Sequence, residues 1–283
     1  MGGNARISAS ALTLFAVAAL LVSNAHPISQ HAHPQADMSQ ATPNRLRNSG
    51  FEADWSEESS HRVLIFHPDG SSEEAERDNI FTPPGWLVWF YHDPDNYDQP
   101  EVRDAWDSVD PVRVHSGHKG LLLFTFYRRH DAGLLQQVQA WPGALLRLEG
   151  WAHAWSNWHD GPHPDDPRWS EGSHVGYEVA CLPEGMPGLD DGDRNFTFRL
   201  GIDPTGGIDP YADTVNWAAG MHAYNGYCAL PSLEVVAEAP TITVFLRSTT
   251  LWPFKHNDAY WDVISLTILG RAYLPLVLNA GGE

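Results

Sequence analysis

Two acidic side chains stand near opposite ends of the chain, each in a short stretch of strand-like character. Glu52 ends the stretch NSGFE (48–52), and Asp262 lies within NDAYWDVISL (257–266). Acids placed on the first and last extended segments of a strand-rich chain predict that those segments lie side by side. Carboxylate oxygens are hard ligands of the kind that Ca²⁺ takes. We therefore predict a structural calcium site at Glu52 and Asp262.

The segment 144–155 (ALLRLEGWAHAW) carries the second candidate chemistry. Strict alternation places small and aliphatic residues on one face of a strand and Glu149, Trp151, His153 and Trp155 on the other. A sugar ring offers apolar C–H faces to aromatic planes and hydroxyls to charged or polar groups. This row of side chains therefore predicts a carbohydrate-binding surface. The alternative is that loops cover the row, which makes Trp151 and Trp155 a second small core.

Three residues from other segments could complete such a surface. Arg199 lies on the polar face of the strand predicted at 195–202, where Phe196 and Phe198 point the other way. Trp217 and Tyr224 follow the stretch GIDPTGGIDP (201–210) and could wall the site. That stretch contains Asp-Pro and Gly-Gly pairs, which are typical of turns, and it matches neither a phosphate-binding loop nor a dinucleotide-binding motif.

Motifs of common hydrolases do not occur in the sequence. It has no G-x-S-x-G and no H-E-x-x-H, and neither cysteine has a recognisable nucleophile context. A glycosidase needs two carboxylates that flank a cleft. Glu149 and Glu178 could mimic that pair, but acids are plentiful in this chain. We therefore favour a protein that is not an enzyme.

Composition limits the partners. The formal net charge is −19, which argues against nucleic acid or an anionic membrane surface, because both need basic patches. Residues 1–25 have a basic residue, an apolar run and a small-residue cleavage motif, so they are predicted to be a signal peptide. We expect a secreted protein that does not insert in a membrane. In that compartment the two cysteines, Cys181 and Cys228, could form a disulfide, which their spacing alone does not establish.

The rest of the chain indicates an all-β fold rich in loops, because short strand-like runs alternate with turns and helical patterns are few. Residues 26–45 are polar and read as a flexible linker. The expected domain covers residues 46–270. Residues 271–283 follow as a tail that is either a last strand or an adhesive segment.

Several segments, taken in chain order, resemble a known group of proteins. They are NSGFE (48–52), PPGW (83–86), SGHKG (116–120), AGLLQQVQAWPG (132–143), GIDPTGGIDP (201–210), the segment around Trp217 and HNDAYWD (256–262). Together they are similar to secreted bacterial proteins with a galactose-binding-like β-sandwich, a fold that CenC-type carbohydrate-binding modules also use. The resemblance spans residues 46–270.

The resemblance implies a jelly-roll β-sandwich with long loop insertions, often with a structural Ca²⁺ between its N- and C-terminal segments. Matched residue by residue, Glu52 and Asp262 are the side-chain ligands, and carbonyls near the 116–120 turn, that of Lys119 among them, assist. Such modules often carry two acids in succession on the last strand, whereas Val263 follows Asp262 here. The number of charged ligands tunes Ca²⁺ affinity.

The sequence thus predicts a secreted, non-catalytic carbohydrate-binding module with a glycan partner. One alternative is a structural or adhesive module of the cell surface that has no sugar site and makes protein contacts through its aromatic faces and its tail. A polysaccharide hydrolase or lyase is the other.

Overall fold

The computed structural model describes residues 43–55, 60–107, 113–157, 179–189 and 194–271. The predicted signal peptide, nearly all of the predicted linker, Glu178 and the tail from residue 272 onward lie outside the described residues. In the described part of the chain no helix is long and apolar enough to cross a membrane.

The described residues are almost entirely strand and connection. The strands are β1 (Arg62–Phe66), β2 (Ser72–Glu76), β3 (Leu87–Tyr91), β4 (Glu101–Trp106), β5 (Lys119–Thr125), β6 (Asp131–Gln139), β7 (Ala144–Asn157), β8 (Ala180–Pro183), β9 (Phe196–Asp203), β10 (Asn216–Trp217), β11 (Met221–Tyr224), β12 (Cys228–Ala229), β13 (Leu233–Val236), β14 (Thr241–Thr250) and β15 (His256–Arg271). Their hydrogen-bonded order is β2-β1-β3-β6-β14-β9-β11-β7-β15-β5-β4. Pairing is antiparallel except between β1 and β3 and between β11 and β7.

This order folds over on itself into two packed layers. We call β2, β1, β3, β6, β14 and β9 the first layer, and β7, β15, β5 and β4 the second layer. Alternate residues of both layers enter one core, where the rings of Phe198 on β9 and Trp261 on β15 meet edge to face at 5.2 Å between centroids. The fold is therefore the all-β, jelly-roll sandwich that the sequence predicts.

The alternation predicted for 144–155 is confirmed. Leu146, Leu148, Ala152 and Ala154 are all buried in the core, as are Phe196, Phe198, Leu200 and Ile202 on β9. Because neighbouring side chains of a strand point to opposite faces, Trp151 and Arg199 lie on outer faces. These outer faces belong to opposite layers and point away from each other.

The segment 44–49 lies against β15, as predicted for the two ends of the domain. Arg45 donates its N–H to the carbonyl of Leu266 at 2.8 Å, and Ile264 donates to the carbonyl of Ser49 at 2.9 Å. The 44–52 stretch is not itself a strand, because it pairs with β15 through these separate bonds and not through a continuous ladder. The predicted pair of cysteines is confirmed, since Cys181 and Cys228 form a disulfide.

Candidate functional site

The predicted sugar-binding row lies on the outer face of the second layer. Glu149 is exposed, Trp151 and Trp155 are half-buried, and His153 is fully buried. The four side chains follow one another along β7, so the structure brings this part of the predicted site together. Their accessibility differs, however, and it depends on what packs over them.

Aromatic side chains from other segments cover much of this row. The imidazole of His115 stacks on Trp151 with centroids 4.1 Å apart and planes 23° apart. His153 stacks on Tyr260 at 5.0 Å, and Trp155 meets His256 at 5.4 Å. Trp155 also packs against a small apolar cluster formed by Ala105, Leu122, Phe124 and Tyr260. To that extent the row forms the second small core that the sequence left open as an alternative.

The other three predicted residues do not join this row. Tyr224 is fully buried in the core, where its hydroxyl accepts the N–H of Phe196 at 2.9 Å. Arg199 and Trp217 lie on the outer face of the first layer. Neither His153 nor Tyr224 presents a surface to a ligand in this conformation, so burial removes both from the set of direct contacts.

A buried acid lies beside the row on β15. Asp258 is 5% exposed and sits opposite Trp155 in the strand register. One of its oxygens accepts the hydroxyl of Tyr260 at 3.1 Å, while Oδ1 has no hydrogen-bond partner among the described residues. Desolvation raises the pKa of Asp258 to about 6, against the opposing effects of the Tyr260 hydrogen bond and of Arg113 and Arg103.

The outer face of the first layer carries a small buried cluster of apolar side chains, formed by Leu64, Phe66, Trp89, Leu135 and Phe245. Beside it are three adjoining hollows, of about 430, 310 and 340 Å³, which share Tyr97. We call them together the groove. The first is lined by Phe66, Tyr91, Asp131 and Tyr211 among others. The second is lined by Asp131, Glu184, Arg199, Arg247 and Leu251 among others, and the third by Tyr127, Arg128, Leu251 and Trp252 among others.

The centre of the groove is a network around Asp131, which begins β6. Arg247 on β14 donates to both carboxylate oxygens of Asp131, at 2.8 and 2.6 Å. The hydroxyl of Tyr211 donates to the same carboxylate at 3.0 Å, and the guanidinium carbon of Arg247 lies 5.2 Å from the Tyr211 ring centroid. The Tyr211 side chain is thus fixed, although 38% of the residue remains exposed.

The charges in this network stabilise each other. Burial alone would lower the pKa of Arg247, but the hydrogen bond and the charge of Asp131 outweigh burial and raise that pKa. Desolvation, with the negative charge of Asp131, raises the pKa of Tyr211 above its ordinary value. Arg247 therefore stays cationic and Tyr211 stays a neutral hydrogen-bond donor at ordinary pH.

A second arginine pair lies next to the first. Arg199 stands opposite Arg247 in the register of β9 and β14, and its Nη2 contacts both oxygens of Glu184 at 2.5 and 2.6 Å. Trp217 lies flat over Gly201, where an added Cβ would come within 2.7 Å of its ring. The same indole packs on Arg247 at 5.5 Å. Glycine at 201 is what lets Trp217 approach and support the arginine.

The loop 204–215 carries Tyr211 into the groove. Its shape is set by Asp203 at the end of β9, which is fully buried and accepts the N–H of Thr205 and the hydroxyls of Thr205 and Thr214. Burial acts to raise the pKa of Asp203, but these hydrogen bonds outweigh it and lower that pKa. Gly206 has a φ of +83°, which glycine adopts without strain. GIDPTGGIDP is therefore a structural turn, as its composition predicts.

Sequence reasoning missed Tyr97, Asp131, Tyr211 and Arg247. They come from four segments far apart in the chain, so no local spacing connects them. One signal was present, because Arg247 interrupts the otherwise apolar and Thr-rich strand TITVFLRSTT (241–250). A charge at that position of a central strand needs a partner on the same face.

The predicted calcium pair meets at one turn. Asp262 Oδ2 accepts the N–H groups of His115 and Ser116, each at 2.9 Å. Glu52 Oε1 accepts those of His118 and Lys119 at 2.9 and 3.1 Å. Desolvation raises the pKa of Asp262 to about 6, and repulsion from Glu52 adds to the rise although three backbone N–H groups oppose it.

This donor set fits a hard cation in part. Each carboxylate oxygen has two lone pairs, so an oxygen that accepts one N–H can still bind a metal. Two mutually repelling carboxylates would also gain from a cation between them. The described contacts of the turn, however, present its N–H groups to these acids. Among the described residues, no group of three or more His, Cys, Asp or Glu is arranged as a metal site.

The backbone beside Asp262 is unusual. Val263 has a φ of +50°, and β15 shifts register against β7 between Asp262 and Ser265. A β-branched residue with positive φ is strained. Asn48 and Phe51, in the segment that lies against this bulge, also have positive φ. The contacts around the calcium candidate thus hold Phe51 and Val263 in a backbone conformation that such residues adopt rarely, whereas asparagine adopts it more readily.

No protein-family model matches the chain, and no curated protein sequence matches it either. Solved structures do resemble it. TmCBM61 in complex with beta-1,4-galactotriose is 13% identical and matches over 80% of this chain and 99% of that chain, with a TM-score of 0.41. A cyclase from Fischerella sp. TAU is 12% identical over 82% and 100% of the two chains, with a TM-score of 0.37. The CBM22-1 xylan-binding domain from Paenibacillus barcinonensis is 10% identical over 68% and 90%, at 0.35. Likeness at this level concerns architecture, and its range from binding modules to an enzyme selects no function.

Proposed function

We propose that this chain is a secreted, non-catalytic carbohydrate-binding module whose sugar chain lies in the groove of the first layer. The observation that carries the proposal is the side chain of Tyr211, which is exposed to solvent yet held beside the Asp131–Arg247 pair. An aromatic plane next to fixed hydrogen-bonding groups is what a sugar ring requires.

The dimensions of the groove support a ligand of more than one ring. Each of its hollows lies within or near the range of about 300–1,000 Å³ that is usual for small-ligand sites, and all three meet at Tyr97. Aromatic side chains stand along it, with Tyr91 and Tyr211 at one end and Tyr127 and Trp252 at the other. A chain of sugars could therefore meet one aromatic plane after another.

The two carboxylates at the centre of the groove favour binding over catalysis. Asp131 and Glu184 are each held by an arginine through two short contacts. A glycosidase acid must instead be free to give up a proton at the glycosidic oxygen. Incubation with a bound polysaccharide should release no new reducing ends.

Glu149, Trp151 and Trp155 remain the second candidate sugar surface. Both indoles are half-buried beside imidazoles, whereas Tyr211 remains 38% exposed although Arg247 and three aromatic rings contact its ring. For this reason the groove is the better-supported site, and one set of variants distinguishes the two.

The test is glycan-array screening followed by isothermal titration of the best ligand. Tyr211→Ala should weaken binding at least about tenfold, equivalent to about 1.4 kcal/mol. Trp141→Ala is the matched control, because Trp141 is similarly exposed, at 40%, and lines none of the three hollows. Loss of binding in Trp151→Ala but not in Tyr211→Ala would move the site to the second layer. Absence of binding to every glycan would favour the adhesive alternative.

We also propose that Ca²⁺ binds to Glu52 and Asp262, with the backbone carbonyl of Lys119 as a further ligand. The ion would supply a link between the 48–52 segment, β15 and the 115–119 turn. Chelator should lower the melting temperature and added Ca²⁺ should restore it, while Glu52→Gln should lose this response. Glu234→Gln, which alters an exposed acid elsewhere, should keep it. An unchanged melting temperature under chelation would contradict the site.

A further inference from the structure

We infer that the groove takes an uncharged sugar chain, recognised through its hydroxyls, and that it excludes uronate-bearing and sulfated glycans. This inference rests on the proposed function and goes further by naming the ligand class. It follows from how the charged side chains of the groove are paired.

Each arginine that lines the groove is already engaged. Arg247 is bound by Asp131 and Arg199 by Glu184, as described above. Arg128 Nε contacts Asp98 at 3.2 Å. Arg129 donates to the carbonyl of Asn96 at 3.0 Å, and its guanidinium carbon lies 5.1 Å from the Tyr97 ring centroid. Three of these four guanidinium groups therefore have a carboxylate partner that offsets their charge. An anionic sugar could reach only the N–H donors that the partners leave unused, and it would lie close to those carboxylates.

The charge balance of the groove does not favour an anion. Its lining contains five carboxylates, of Asp95, Asp98, Asp131, Glu184 and Asp209, against four guanidinium groups, of Arg128, Arg129, Arg199 and Arg247. The whole chain carries a formal charge of −19, so the long-range field also repels a polyanion.

The negative charge of the groove does not repel an uncharged hydroxyl group. A carboxylate that is bound by arginine keeps lone pairs, and a guanidinium has five N–H donors, of which the pair uses only some. A hydroxyl can both donate to the first and accept from the second. Because the side chains are already fixed by one another, they lose little further rotational freedom on binding.

Recognition of this kind has a distinct salt dependence. Binding of a neutral chain forms no new ion pair, so its affinity should change less than about twofold between about 20 mM and 500 mM sodium chloride, a range over which exposed charges become strongly screened. Binding of a polyanion would weaken steeply over that range.

The experiment compares neutral polymers (β-1,4-galactan, xylan and a β-glucan) with polygalacturonate and alginate at both salt concentrations. The wild-type chain should bind at least one neutral polymer and neither acidic one. Glu184→Gln should gain salt-sensitive binding to polygalacturonate, because Arg199 then has no carboxylate. Its Gln oxygen can still accept the N–H of Gly220, a contact that Glu184 makes at 3.2 Å. The matched control is Glu234→Gln, which frees Arg147 outside the groove and should gain nothing.

Three results would overturn the inference. If the wild-type chain binds an acidic polymer more tightly than neutral ones, and Tyr211→Ala abolishes that binding, the groove still binds glycans but the ligand class is wrong. If Glu184→Gln gains no acidic binding while neutral binding persists, pairing does not control selectivity. If no polymer binds at all, the proposed function fails and this inference fails with it.

Discussion

The two outer faces of the sandwich differ in how they treat their polar and aromatic side chains. On the first layer, arginines and acids are paired on the strands while Tyr97 and Tyr211 reach the open groove from loops. On the second layer, Trp151 and Trp155 project from β7 itself, but His115 and His256 pack against them. The face whose tryptophans suggest a sugar surface in the sequence is thus the more covered one.

This difference shows that residue type alone does not identify a binding surface. An aromatic ring is useful to a ligand only in the part that neighbouring side chains leave exposed. On β7 the imidazoles contact both indoles, which are half-buried. Tyr211 stays 38% exposed, although Arg247 and three aromatic rings pack against it. In the groove, Asp131 and Glu184 have arginine partners for both oxygens, although Arg199 Nε has no partner among the described residues. On the other layer, Asp258 keeps one oxygen without a described partner. Both faces carry a small apolar cluster, but the first also contains the groove.

The largest expected effect concerns the disulfide, which holds β8 and so the neighbouring Glu184 of the groove. It closes a loop of 47 residues, and the chain-entropy relation gives a stabilisation of about 4 kcal/mol. Reductant should therefore lower the midpoint of urea unfolding of the wild-type chain markedly. A Cys181→Ala/Cys228→Ala double variant should be equally destabilised and insensitive to reductant. Equal midpoints with and without reductant would contradict the role of the bond.

Arg247→Met should have the next largest effect, about 3 kcal/mol of unfolding free energy, because it leaves Asp131 buried without its cation. The side chains of Arg247 and Asp131 are only 20% and 8% exposed. Arg147→Met is the control, since its pair with Glu234 is exposed on both sides and should contribute less than about 1 kcal/mol. Chemical denaturation measures the free energy of unfolding of both variants. If both lose a similar amount, the buried pair contributes no more than the surface pair.

Asp258 on the second layer should give a pH-dependent effect of up to about 3 kcal/mol, since its pKa rises from 3.8 to about 6 on folding. The folded state then holds a proton that the unfolded state has lost, so stability falls as pH rises from about 4 to 6. Asp258→Asn should remove this fall, so its advantage over the wild-type chain should be larger at pH 7 than at pH 4. The groups that face the carboxyl are Tyr260, Arg113 and Arg103. A constant difference in melting temperature across this range would refute the shift.

The smallest effect should be that of Trp151→Ala on glycan affinity, below about twofold, because the indole stacks on His115 and lies on the layer opposite the groove. Trp155→Ala should behave in the same way. Titration of both variants with the ligand that Tyr211→Ala no longer binds checks this directly. A tenfold loss of glycan affinity in either variant would show that the second layer also contributes to binding, and the two faces would then not differ in function.

Much of the fold could be predicted because the core strands alternate strictly. Residues 144–155 and 195–202 show which side chains face inward, and both segments form strands at nearly those bounds. Two strands show no such alternation in the sequence. β2 (Ser72–Glu76) is almost wholly exposed and β4 (Glu101–Trp106) is rich in charge, so neither has the apolar pattern of a strand. Both form at the edges of the strand order, where backbone pairing with one neighbour suffices.

The site was predictable only where one strand carries it. The row on β7 follows from alternation, but its burial depends on His115, Tyr260 and His256, which come from other segments. The groove combines β6, β9 and β14 with loops around residues 97 and 211, and strand order determines that combination. A single sequence does not give strand order. Arg247 could have been noticed, but Asp131 could not have been named as its partner.

The hydrogen bonds that Asp203 accepts from Thr205 and Thr214 affect which residues of the loop can be replaced. It gives the loop its own internal scaffold, so the residues at its tip are not needed to keep the sandwich folded. Exchange of the exposed Ile208 and Asp209 should thus change which ligand the proposed groove prefers while leaving the sandwich beneath unchanged. Ligand selectivity can therefore change independently of the fold. A library randomised at those positions would vary selectivity while the sandwich stays folded.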